Sequence, residues 1–200
     1  MAQFFQPDYL FDDIAAIPAD LPAQLGIRLL ICDIDNTLVT YDDPAPTAPV
    51  LAFFDALRKK GVQIAFLSNN KKERVERFNE SLGYQAVSGS GKPFAYLNIR
   101  RIRRAAGVER SESAMLGDQI FTDVLAARIA RIPAILVKPI KDKKTKFFRF
   151  KRSLEKPFLR NFRAKYGDNS QKKLRALRRE KRLAKRAERR AARQERRARK

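Results

Sequence analysis

Four short apolar runs constrain this chain more than anything else in it: IRLLICDI at residues 27–34, VQIAFLS at 62–68, SAMLGD at 113–118 and AILVKP at 134–139. Each is short for a helix and apolar almost throughout instead of alternating, the pattern of strands buried on both faces of a parallel sheet. Helical spacing fills the intervals. Leu51, Phe54 and Leu57 follow the first run, Val75, Phe78 and Leu82 the second, and Phe94, Leu97 and Ile102 precede the third. Strand and helix in alternation predict an α/β fold, a doubly wound parallel sheet covered on both sides. The first 26 residues, with Pro7, Pro18 and Pro22, read as an arm of short helical turns packed on that body.

Sheets of this kind bind ligands just beyond the carboxyl ends of their strands. The chain places polar clusters there: Asp33 and Asp35 after the first run, Ser68 and Asn69 after the second, Gly91-Lys92 at the entry to the third helix, and Gly117-Asp118 after the third run. Taken one at a time, each is an ordinary turn or helix cap. Caps do not explain three acids converging on one sheet edge, because a buried carboxylate without a partner costs several kcal/mol. Phosphoryl chemistry does. Asp33 on a rigid strand end is placed to attack phosphorus, and Asp35, two residues on, to pass a proton to the leaving group and take one from water. Asp118 supplies a second carboxylate for a metal beside Asp33. Ser68 and Asn69 can donate to phosphoryl oxygens, and Lys92 can neutralise the charge there. Asp123 is expected in a second sphere, holding a metal-bound water or Lys92, or else as an exposed acid near a helix start. The chain has no histidine and one cysteine, Cys32. That excludes histidine triads, thiolate zinc clusters and disulfides, and leaves a hard, oxygen-held ion such as Mg2+. Cys32 lies inside the strand and reads as core.

In order and spacing, DIDNT, LSNN, GKP and GDQIFTD resemble the four motifs of the haloacid dehalogenase-like phosphatases. More narrowly, DIDNTL, SNN, Lys92-Pro93, GDQIFTDVLAA and LVKPI resemble the YqeG-type branch, related to phosphatidylglycerophosphate phosphatases. The resemblance implies Asp33 as nucleophile, Asp35 as general acid and base, Ser68 and Lys92 as the phosphate-binding pair, and Mg2+ on Asp33, Asp118 and the main-chain carbonyl of Asp35. It covers residues 5–160 and departs at SGSGKP, where a plainer lead to the lysine is expected, and in the basic tail. The intervals between motifs are spent on one helix and a loop each, so no cap domain is expected and the site is open to a phosphate carried on something large.

Charge divides the chain. Residues 1–140 carry 17 Lys/Arg against 16 Asp/Glu, and residues 141–200 carry 27 against 6. The expected organisation is an arm over 1–26, a phosphatase domain over 27–160 and a basic extension over 161–200, helical or disordered. Among the phenylalanines at 147–162, core and interfacial roles are both open. The segment 141–200 suits an anionic membrane surface, which with the resemblance implies a phosphorylated lipid substrate and a cytoplasmic protein peripheral on the inner face of the membrane. Nucleic acid or ribosome suits the same charge. That leaves three alternatives: a nucleic-acid-end phosphatase, a soluble-metabolite phosphatase, or a non-catalytic RNA-binding protein on a phosphatase scaffold. No apolar stretch reaches the length of a transmembrane helix, and the start does not resemble a signal peptide.

Overall fold

The computed structural model describes residues 2–141, 146–167 and 170. Along the chain come β1 (Tyr9–Phe11), α1 (Leu21–Leu25), β2 (Leu29–Cys32), α2 (Ala48–Arg58), β3 (Gln63–Leu67), α3 (Lys72–Asn79), β4 (Gln85–Val87), α4 (Tyr96–Ala105), β5 (Ser113–Gly117), α5 (Leu125–Ala130), β6 (Ala134–Val137) and α6 (Lys146–Tyr166). The six strands form one sheet in the order β1-β6-β5-β2-β3-β4, parallel at every pairing.

Two-sided burial accounts for the apolar runs. Leu30 and Cys32 of β2, with Ile64 and Phe66 of β3 and Leu116 of β5, face one core with Phe54, Val75 and Phe78 from α2 and α3. Their neighbours Leu29, Ile31, Ala65, Leu67 and Met115 face a second core with Ile99 and Ile102 of α4 and Ala126 and Ala127 of α5. Period-2 alternation thus feeds two apolar layers at once. The chain runs from β2 outward through β3 and β4, then crosses back to β5 on the other side of β2. This makes the carboxyl end of β2 the switch point of the sheet, where ligand clefts form.

Several expectations are corrected. The arm is not only helical turns: Tyr9–Phe11 is an edge strand on β6, in register Tyr9 to Ile135 and Phe11 to Val137. The division at residue 26 therefore separates one strand from its own sheet. In α2 the buried face is Val50, Phe54 and Leu57, while Leu51 stays exposed. In α4 it is Ile99 and Ile102, joined by Ala95 just before the helix, whereas Phe94 and Leu97 project into solvent at 82% and 72% exposure. Leu97 stands two residues from Ile99, about 200° around a helix of 3.6 residues per turn, so the two cannot share a face.

The boundary at residue 160 falls inside α6. Glu155 and Phe162 of that helix are buried, and beyond it the Leu10 amide donates to Ser170 Oγ at 2.7 Å while the Ser170 amide donates to the Leu10 carbonyl at 2.8 Å. The exposed side of β1 is closed in this way. The basic segment 171–200 lies outside the described residues. No helix of the described residues is long and apolar enough to cross a membrane.

Candidate active site

β2 ends at Cys32, and the next residue, Asp33, donates its amide to the Leu116 carbonyl of β5 at 2.8 Å, so its backbone is held by the sheet after the strand stops. The chain then turns through Asn36, whose left-handed φ of 66° suits asparagine better than most side chains. Ser68 follows β3, Asp118 follows β5, and Lys92 follows the loop after β4. Asp33, Ser68 and Lys92, with Asp35, line a cleft of about 300 Å3 at the switch point, and Asp118 offers a carboxylate oxygen within 4.8 Å of one from Asp33.

Lys92 Nζ donates to Asp33 Oδ1 at 2.6 Å and to Asp123 Oδ1 at 2.7 Å, and all three side chains are nearly inaccessible to solvent. Burial depresses the lysine pKa, but the two carboxylates outweigh it and the net shift is upward, so Lys92 is a fixed cation. Thr37 Oγ1 lies 3.4 Å from both Asp33 Oδ2 and Asp118 Oδ1, between the two acids. Asp123 sits on a π-helical turn, Ile120–Val124, of the kind found at functional sites. Its Oδ2 accepts the Gln119 amide at 3.0 Å. With Lys92 on one oxygen and this amide on the other, Asp123 orients the lysine.

Gly117 makes room for that acid. A Cβ there would lie 2.3 Å from both Cβ and Cγ of Asp123. Gly117→Ala is expected to destabilise the protein by about 1–3 kcal/mol through overpacking and to detach Asp123 from Lys92. Urea unfolding checks the first effect.

Asn69 lines the cleft, and most of its polar capacity is spent on the loop that carries Lys92. Its Oδ1 accepts the Lys92 amide at 2.7 Å and the Ser90 hydroxyl at 2.9 Å, and its Nδ2 donates to the Lys92 carbonyl at 3.0 Å. The side chain grips the SGSGKP loop, which explains that loop's composition. Gly89 and Gly91 take left-handed φ values of 52° and 71°, and Ser90 is buried against Asn69. Asp35 accepts from Asn70 Nδ2 at 3.0 Å on one oxygen and from Arg74 Nε at 3.1 Å on the other, with Arg74 Nη2 in ion-pair contact at 2.9 Å. Both oxygens are acceptors here, and Oδ2, which takes only the Asn70 bond, keeps a lone pair that can carry a proton to a leaving group.

Two partners came from places that sequence spacing did not indicate. Arg74 lies on α3, and Arg152 on α6, beyond the charge break at residue 140. Arg152 pairs with the Asp118 carboxylate, donates to the Asp118 carbonyl at 2.7 Å, and binds Glu155 Oε2 at 2.8 Å. Glu155 Oε1 in turn accepts the Ile120 amide at 2.8 Å. Helix α6 therefore clamps the loop that carries Asp118.

Comparison with known proteins accords with this geometry. The family model of haloacid dehalogenase-like hydrolases matches residues 39–131. The probable phosphatase YqeG of Bacillus subtilis (strain 168) is 30% identical over 159 residues, 80% of this chain and 92% of the relative. The chain belongs to the haloacid dehalogenase-like hydrolases. Similar solved structures include a hypothetical protein of Xanthomonas campestris (18% identity, TM-score 0.46, 62% of this chain and 71% of that one). Another is the 3-deoxy-D-manno-octulosonate 8-phosphate phosphatase of Moraxella catarrhalis, in complex with magnesium, phosphate and KDO (16% identity, TM-score 0.43, 74% and 97%).

The donor set of this hydrolase fits a hard divalent cation. Asp33, Asp118 and Asp123 are buried, with carboxylate oxygens all within 4.8 Å of one another. Only Lys92 and Arg152 pair with this trio among the described ion pairs, and Arg152 is shared with Glu155. The cluster is therefore short of positive charge. Burial, with help from the neighbouring acids against Lys92, pushes Asp33 up to about 7, and burial with Asp123 pushes Asp118 up to about 6 against Arg152.

The consequence for stability has a definite sign. A carboxyl whose folded pKa exceeds its unfolded value stabilises the fold below the unfolded pKa and loses that contribution as pH rises through the folded one. In a chelator, the protein is expected to lose on the order of a few kcal/mol between about pH 4 and 7. A divalent cation should restore this increasingly toward pH 8. Thermal unfolding with EDTA or MgCl2 across that range is the measurement, and a chelated melting temperature that rises with pH would contradict the charge deficit.

Proposed function

We propose that this hydrolase is a Mg2+-dependent phosphomonoesterase working through an aspartyl-phosphate on Asp33, and that its substrate is phosphatidylglycerophosphate or a closely similar anionic lipid monophosphate. The observation that carries the chemistry is the convergence of Asp33, Lys92 and Asp118 at the switch point, with Lys92 Nζ 2.6 Å from Asp33.

In the first half-reaction an Asp33 oxygen attacks phosphorus, the ester P–O bond breaks, and the departing oxygen takes a proton from Asp35. In the second, water attacks the phosphoryl group, Asp35 takes its proton, the bond to Asp33 breaks and inorganic phosphate leaves. Lys92 and Ser68 border the space where the phosphoryl oxygens would sit. A cation held by Asp33 and Asp118 would supply positive charge that keeps Asp33 ionised and offsets repulsion from the phosphate.

Two features support a bulky lipid substrate. Only a loop and α2 lie between Asp35 and β3, and only α3, β4 and a loop lie between Ser68 and Lys92, so neither interval holds a lid domain. The basic α6 borders it through Lys151. A protein so equipped would work at the cytoplasmic face of the membrane.

The test offers the full-length protein, with MgCl2, three substrates: phosphatidylglycerophosphate in mixed micelles, a 5′-phosphorylated oligonucleotide, and a soluble sugar phosphate. Release from the lipid should be the fastest and should stop with chelator. Faster release from the oligonucleotide would move the enzyme to nucleic-acid ends, and faster release from the sugar would make it a metabolite phosphatase.

A further inference from the structure

We infer that the rim of the cleft is a docking surface for an anionic lipid bilayer, with Phe94 and Leu97 on one flank and Phe150 and Leu154 on the other entering the interface. The inference rests on the lipid-phosphate reading only for its choice of occupant.

Large apolar side chains exposed singly need no explanation, but Phe94, Leu97, Phe150 and Leu154 all lie within five residues of a lysine that lines the cleft. Phe94 is two residues from Lys92, and Phe150 is next to Lys151, both of which line the cleft. Their exposures are 82% for Phe94, 72% for Leu97, 63% for Phe150 and 47% for Leu154.

Neither flank is a loose loop. The Phe94 amide donates to the Gly91 carbonyl at 2.9 Å, and Asn98 Nδ2 donates to the Ser90 carbonyl at 3.1 Å, which fixes the first turn of α4 to the lysine loop. On the other flank, Arg152 and Glu155 anchor α6 to the Asp118 loop, and Phe150 and Leu154 lie within one turn of them. The apolar groups are therefore held outward by the same contacts that build the site.

Charge selects the partner. Helix α4 carries Arg100, Arg101, Arg103 and Arg104 and no acid. Helix α6 carries eight Lys/Arg and a single acid, Glu155, which is buried. Apart from neutral polar groups such as Ser153 and Asn161, both helices thus offer the solvent exposed apolar groups and cations with no exposed acid, the composition of an interfacial element on anionic lipid. Nucleic acid would use the same cations and could stack on phenylalanine. It gives no role to Leu97 and Leu154, whose gain is burial in hydrocarbon.

The chain has no tryptophan, so Phe94→Trp introduces a single reporter. Arg110→Trp, beside the amino-terminal start of β5 at the opposite end of the sheet, is the control. Full-length variants are mixed at low salt with phosphatidylglycerol/phosphatidylcholine vesicles carrying brominated acyl chains, so that the position of each tryptophan, and not binding by itself, reports which face meets the bilayer. The expected result is a blue shift and quenching for Phe94→Trp, the same for Phe150→Trp, and neither for Arg110→Trp. The double change Phe94→Ser with Leu97→Ser should weaken vesicle binding about tenfold or more and leave hydrolysis of a water-soluble aryl phosphate unchanged.

Unquenched emission from Phe94→Trp, with the protein bound to vesicles or not, overturns the inference. So does shielding that appears without lipid as the mass in light scattering doubles, which would assign the rim to a second copy, and so does shielding by a single-stranded oligonucleotide in place of vesicles. These vesicles hold no phosphomonoester, so docking is read without turnover. Failure of the lipid as substrate and failure of the rim as a docking surface are therefore separate results.

Discussion

Asp33→Asn is expected to lower phosphatase turnover by about 10^4-fold or more, the scale on which loss of a covalent nucleophile acts, and at the same time to leave the chelated protein at least as stable at pH 8 as the parent. The two effects have one cause. Desolvation of the buried Asp33, with Asp123 and Asp118 adding to it against Lys92, pushes its pKa up to about 7, so at pH 8 its negative charge opposes folding. The amide keeps an oxygen for Lys92 Nζ, now 2.6 Å from Asp33 Oδ1, and carries no charge. Stabilisation by MgCl2 should shrink, because one of three acids is gone. The measurements are steady-state hydrolysis and thermal unfolding of both proteins with EDTA and with MgCl2. A variant that retains turnover would dispose of the covalent route, and one that is much less stable in EDTA would show that Lys92 more than offsets the repulsion.

Arg152→Ala should cost about 3 kcal/mol, because removing one partner of a buried pair leaves the other uncompensated; for a domain of this size that is a melting temperature lower by about 6–12 °C. The side chain of Asp118 is fully buried, and Arg152 is 18% exposed. The guanidinium engages the Asp118 carboxylate, the Asp118 carbonyl and Glu155 together. Arg152→Lys should therefore recover little, since a single ammonium cannot reproduce that fork. A divalent cation can replace the missing charge at Asp118, so the rise in melting temperature on adding MgCl2 should be larger for Arg152→Ala than for the parent. Equal shifts in the two proteins would mean that Arg152 braces α6 without bearing on the acidic cluster.

Other side chains became legible only through long-range contact. Arg74 reads as one of three surface cations on α3 until the fold brings Asp35 to within 2.9 Å of it, across 39 positions of sequence. Arg152 is hidden in the same way within a segment that is mostly lysine and arginine. That Asn69 also grips the lysine loop was not legible, because its partners at positions 90 and 92 are set by how β4 and its loop return to β3.

By itself the sequence determined what local chemistry can encode. Apolar runs of strand length specified a parallel sheet buried on both faces, since alternating side chains must feed two cores. Acids placed one residue beyond those runs specified Asp33 and Asp118 at strand ends. The absence of histidine limited the ligands of any metal to oxygen. Tertiary structure alone decided which apolar residues of α4 are buried, because Ile99 and Ile102 win the core face and Phe94 and Leu97 are left outside. It also decided that three residues, Tyr9–Phe11, close an edge of the sheet, since three positions are too few for a period to show. And it decided that a helix from the basic end completes the acidic site, because a buried carboxylate draws its counter-charge from whatever the fold places beside it, at any distance along the chain.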